Sequence, residues 1–119
     1  MEVKIHHVNN NKVAELVANE MIINNISDGT DVVGNMYYQD IDRLIMHEKN
    51  ITTDFLDLQN KMAGEILQKF SNYRRRLAIV GDFSKYTRQS IQDFIFESNK
   101  GKHINFVATL EQALEFLGA

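Results

Sequence analysis

The alternation of apolar and polar residues changes period several times along the chain, and each change marks an element. "VKIHHV" and "KVAELVA" flank "NNN" (Asn9 to Asn11). Asparagine tolerates the left-handed backbone that tight turns need, so these stretches predict a β-hairpin with strands near 2–8 and 12–18. In the first of them Val3, Ile5 and His7 share one face while Lys4 and His6 take the other, a one-sided alternation suited to a sheet edge. Further on, "RLIMH", "RLAIVG" and "INFVA" are unbroken apolar runs. Strands buried on both faces read this way, as in a parallel α/β sheet.

Helical periodicity fills the intervals. "SDGTDVVGNMYYQD" predicts a helix capped by Ser27 or Asp28. Residues 53 to 73 predict a long second helix, with Phe55, Met62, Ile66 and Tyr73 near one line and Leu56, Ala63, Leu67 and Phe70 widening the stripe. Gln59 falls inside that stripe, either wet where the helix overhangs the sheet or held as a buried functional amide. A third helix is expected over 87–99, with Ile91, Phe94, Ile95 and Ser98 on one face and Gly101 at its C-terminal cap. The last opens at Thr109, which forms a capping box with Gln112 ahead of the stripe Leu110, Ala113, Leu114 and Leu117. The order β-β-α-β-α-β-α-β-α predicts one α/β domain over 1–119, with a mixed, mostly parallel five-stranded sheet whose first strand lies antiparallel at an edge.

Composition narrows the class. The chain has 119 residues, no cysteine, no proline and a formal charge of −3. Without cysteine there is no disulfide, thiolate metal site or thiol nucleophile. No secretory leader is visible, and no apolar run approaches the roughly 20 residues of a membrane span, so a cytoplasmic protein is expected, with no membrane partner. The one basic cluster, Arg74 to Arg76, reads as the solvated edge of a strand, and nucleic acid is not an expected partner.

Candidate chemistry follows from architecture. Open α/β sheets bind ligands beyond the carboxyl ends of their parallel strands. That rule selects the loops His47 to Thr53, Gly81 to Thr87 and Ala108 to Thr109. The first two are rich in functional groups: His47, Glu48, Asn50, Thr52 and Thr53 in one, Asp82, Ser84, Lys85 and Tyr86 in the other. His47 with Asp82 makes a conceivable oriented base and Ser84 or Thr52 its nucleophile, but no nucleophile elbow, Walker loop or dinucleotide fingerprint accompanies them. The possible metal ligands are His6, His7, His47 and His103 with Glu48 and Asp82. Adjacent His6 and His7 point to opposite faces of a regular strand, and with no H-E-x-x-H and no aspartate-rich calcium loop neither a metal nor a cofactor is expected. Met36, Tyr37, Tyr38 and Phe94 read mostly as core, whereas Phe96 falls away from its helix's packing stripe, where homodimerisation is the simplest use of an exposed ring.

The stretches "HEKNIT", "AGEILQKFSNY", "LAIVGDFSKY", "DFIFESNKG", "INFV" and "EQAL" resemble a bacterial family, domain of unknown function 4180, over nearly the whole chain. That family brings no established activity. More remotely, the element order and "FVATLEQALEFL" resemble STAS domains, the fold of anti-sigma-factor antagonists. This resemblance implies a regulatory phosphorylated Ser or Thr at the helix N-terminus after a strand, by position Thr52 or Thr53. The family's Asp-Ser-x-Gly type of motif is replaced here by Ile51-Thr52-Thr53-Asp54, and Asp54 would repel an added phosphate. The expectation is therefore a STAS-like, non-enzymatic module binding a protein partner or small ligand at the loops after strands three and four. The alternative is a small hydrolase using His47 with Glu48 or Asp82 as acid and base.

Overall fold

The computed structural model describes all residues, 1–119. Its first feature is the predicted hairpin: β1 (Glu2–Val8) and β2 (Asn11–Val17) pair antiparallel from Glu2 opposite Val17 to Val8 opposite Asn11. The two-residue turn needs positive φ twice, and Asn9 and Asn10 supply it at 50° and 69°; asparagine adopts that region more readily than most residues.

The remaining strands are β3 (Arg43–His47), β4 (Arg76–Val80) and β5 (Ile104–Val107), all parallel to β2. Spatial order equals chain order, β1-β2-β3-β4-β5. Each parallel connection therefore steps the same way across the sheet. Right-handed crossovers then place α1 (Ile26–Tyr38), α2 (Met62–Asn72) and α3 (Gln89–Lys100) on one face. There Val33, Met36, Ile66 and Phe70 pack on Leu44, Met46, Leu77, Ile79 and Phe106, with Phe94 and Ile95 of α3 closing the far side. The opposite face is covered by α4 (Leu110–Gly118) alone, whose Ala113 and Leu117 meet Val13, Ile45, Ala78 and Val107. The mostly parallel five-stranded α/β sheet with four helices is the architecture expected from the apolar runs.

Several boundaries differ from the periodicity. The long second helix is broken: Thr53–Leu56 and Leu58–Asn60 are short 3-10 turns, and α2 begins only after Lys61, at φ 63°. Polar side chains cause the break. Thr52 accepts from the Asp54 N–H, Asp57 from Gln59 and Asn60 from Met62, each offering the backbone an alternative to the helical ladder. Gln59 is exposed on this irregular segment, not on an overhanging helix. Asn25, not Ser27 or Asp28, caps α1 by accepting from the Asp28 N–H. The third helix opens two residues later than expected, and Gly101 ends it in extended rather than left-handed backbone.

At the fourth helix Thr109 accepts from the Gln112 N–H, and the Gln112 amide oxygen returns one residue further back, to the Ala108 N–H. Tyr37 and Tyr38 are exposed, at 62% and 91%, rather than core; Phe96 is exposed as expected. The arginines are more engaged than a solvated edge implies. Arg75 lies over the Tyr37 ring at 5.1 Å, and Arg76 donates to the Lys102 and Phe116 carbonyls.

Candidate functional site: a cavity between the β3 and β4 loops

The loop after β3 is fixed before it can reach any ligand. Asn50 is fully buried, and its Nδ2 donates to the carbonyls of Ala18 (2.9 Å) and Glu20 (3.0 Å). The Asn50 carbonyl accepts from the Ile22 and Ile23 N–H groups, and Thr52 N–H returns to the Ile23 carbonyl at 2.8 Å. This stitching brings Met21 beside Lys49, Ile51, Thr52 and Thr53.

Glu48 holds the β4 loop from the other side. Its Oε1 accepts from the Asp82 N–H at 3.2 Å and its Oε2 pairs with Lys85 Nζ at 2.6 Å. Gly81 makes this approach feasible, because a Cβ there would lie 2.6 Å from Glu48 Cβ and Oε1. The Lys85 ammonium is held above its ordinary range by its hydrogen bond to Glu48. Burial, with the Glu48 charge beside it, raises the Tyr86 hydroxyl.

Between the two loops lies a cavity of about 300 Å³. Its floor is aromatic: Phe83 packs edge-to-face on Phe106 with centroids 5.1 Å apart, Tyr86 stacks on Phe83 at 6.3 Å, and Phe55 leans on Phe106 at 6.4 Å. Ile51, Leu56 and Ile79 complete the apolar wall, while Glu48, Lys49, Lys85, Thr52 and Thr53 bring polar groups to it. An apolar chamber with a few placed polar groups is the usual form of a small-molecule site, and this volume is at the small end of the range.

Of the residues selected from sequence, Glu48, Thr52, Thr53, Lys85 and Tyr86 line this cavity. Asn50 is spent on holding the 18–23 segment. Asp82 and Ser84 form their own small turn: the Asp82 carboxylate accepts from the Ser84 N–H (3.1 Å) and hydroxyl (2.5 Å), bonds that keep this exposed acid below its ordinary range. His47 turns to the α4 face of the sheet and does not meet Asp82. Its Nε2 is 2.7 Å from Glu15 Oε2, while His6 Nε2 is 2.9 Å from Glu15 Oε1.

Glu15 did not stand out in the sequence, yet it is a charged residue only 6% exposed within a strand. Burial acts to raise its carboxyl, but the hydrogen bonds and charges of His47 and His6 outweigh that and leave it lowered. An ionised carboxylate only accepts, so each imidazole presents Nε2–H to one oxygen. The available signal was its placement: Val13, Glu15 and Val17 share a face, so an acid there must be paired. The lining residues Met21 and Phe106 were also missed: Phe106 lies in the run "INFVA", read as a buried strand, and Met21 lies between the predicted hairpin and first helix, where no element was assigned.

Fold and site together define an α/β domain with one mixed sheet and a preformed cavity at the carboxyl end of its central strands. The chain belongs to the family described as a domain of unknown function, DUF4180, whose model matches residues 8–117. No curated protein and no solved structure matches the chain. No helix is long and apolar enough to cross a membrane.

Proposed function

We propose that this protein is a cytosolic, STAS-like binding module, acting without catalysis, that takes a small and largely apolar ligand in the cavity between the β3 and β4 loops. The observation carrying this reading is the cavity itself. Its aromatic floor is preformed, and its loops are fixed by Asn50 and Glu48 rather than left to close on the ligand. Such preorganisation reduces the ordering cost of binding. Binding rather than hydrolysis is favoured because His47, the base of the alternative reading, is committed to Glu15 on the opposite face of the sheet. The STAS likeness rests on the element order and the C-terminal pattern, and a regulatory role follows from it by analogy alone.

The test is titration with neutral bicyclic aromatic fragments, read by amide chemical shifts. Shifts are expected at Phe83, Tyr86 and Thr53 in the natural protein and not in Met21→Trp, which fills the mouth from an exposed position. Identical shifts in both proteins, or none in either, overturn the cavity reading. Dimerisation through Phe96 is a separate proposal, supported by its 62% exposure; a sedimentation coefficient that stays at the monomer value up to millimolar protein would dismiss it.

A further inference from the structure

Taking the cavity reading as its basis, we propose that the ligand is a flat aromatic monocarboxylate, its ring on the Phe83–Phe106 floor and its carboxylate at Lys49 and Thr53. The charges around the cavity decide this. Its lining holds two lysines and one acid, with no other ionised side chain. Glu48 and Lys85 cancel each other at 2.6 Å, and Glu48 is wedged on Gly81 with its second oxygen on the Asp82 N–H. That pair is already satisfied and has little to offer a ligand.

Lys49 is different. It makes no ion pair, and its one polar contact is a long one, Nζ to Asn19 Oδ1 at 3.4 Å. The Thr53 side chain is exposed, and its hydroxyl makes no hydrogen bond within the protein. The β3 side of the rim thus presents two uncommitted donors above an aromatic floor, and a single negative charge is what they lack. Charge-assisted bonds to such an anion are about twice as strong as neutral ones.

The same surroundings argue against a dianion. Glu48 and Asp54 adjoin the two donors in sequence, and the chain carries net −3. One free lysine does not balance a phosphate there. The floor specifies the rest of the molecule: edge-to-face and stacked contacts reward a flat ring over a flexible acyl chain.

Isothermal titration of the full chain with 2-naphthoate and its neutral isostere 2-naphthamide tests the assignment. The acid is expected to bind about fivefold more tightly at low salt, with the margin shrinking as salt rises. Lys49→Met should erase that margin by weakening naphthoate more than naphthamide, and Thr53→Val should reduce it; both positions are exposed, so folding is retained. Equal affinities for acid and amide, or a margin that survives Lys49→Met, overturn the anion assignment and leave the cavity reading standing. If neither compound binds, the cavity reading fails and this inference fails with it.

Discussion

Glu15 is the charged residue most deeply buried in the sheet. Its carboxylate is buried between two imidazoles that arrive from different strands, His6 on β1 and His47 at the end of β3. Glu15→Gln keeps the shape but removes the charge and turns an NH2 toward an imidazole N–H, which should cost about 1–3 kcal/mol in urea unfolding. The pH dependence has a definite sign. Because the folded carboxyl titrates below its ordinary value of 4.5, its contribution is complete above that value and is lost as pH falls through the lower folded value. The natural protein should therefore lead Glu15→Gln at neutral pH, and the gap should close in acid; a gap that widens there would contradict the assignment. Asn50→Ala should cost a similar 1–3 kcal/mol, by orphaning two carbonyls, with an unchanged denaturant slope. Neither role was legible from sequence. Asn50 read as a loop polar group because only the fold brings Ala18 and Glu20 within its reach, and Glu15 was hidden among valines and alanines for the same reason.

At the scale of elements, the strands were legible because their apolar runs are continuous, and a strand buried on two faces has no other way to be written. The helices were legible only where side chains did not compete with their backbone. From Thr53 to Asn60 the apolar spacing is helical, yet Thr52, Asp57 and Asn60 bond to nearby N–H groups and convert one expected helix into two tight turns and a fresh start. Periodicity reports which face is buried and is blind to that local competition. The restart at Lys61 yields a prediction. A left-handed residue with a side chain costs about 1–2 kcal/mol, and glycine returns roughly half of this to the unfolded chain's entropy. Lys61→Gly should therefore raise stability by about 0.5 kcal/mol, whereas Lys61→Val, β-branched at φ 63°, should lower it. Thermal midpoints of the two variants, moving in opposite directions, check this.

For the whole molecule, the sequence identified the end of the sheet at which to look. The rule that ligands sit beyond parallel-strand carboxyl ends selected both loops that now border the cavity. It could not say that His47 would turn to one face of the sheet while Glu48, its neighbour, faces the cavity. Successive residues leaving a strand point to opposite sides, so adjacency in sequence separates them in space. Glu48 emerges as the linchpin. Gly81→Ala should push it off its seat, break the Lys85 pair and speed amide exchange in residues 82–86, with exchange in β4 unaffected.

The coincidence of spatial and chain order also bears on how the molecule assembles. Each strand pairs with the one made just before it, so the sheet can grow by adding neighbours, without waiting for a distant segment. The exception is α4. It reaches back across the sheet, where Arg43 donates to the Leu117 carbonyl and Arg76 to that of Phe116. Its face of the sheet stays wet until residues 110–118 have been synthesised. We predict that closure of α4 is the final, latch-like step of folding. Leu117→Ala, at a fully buried position, should cost about 2–5 kcal/mol and show almost all of it as faster unfolding, with refolding nearly unchanged. A newly made chain paused before that latch would expose Val13, Ile45 and Ala78 together, one continuous apolar strip across three neighbouring strands.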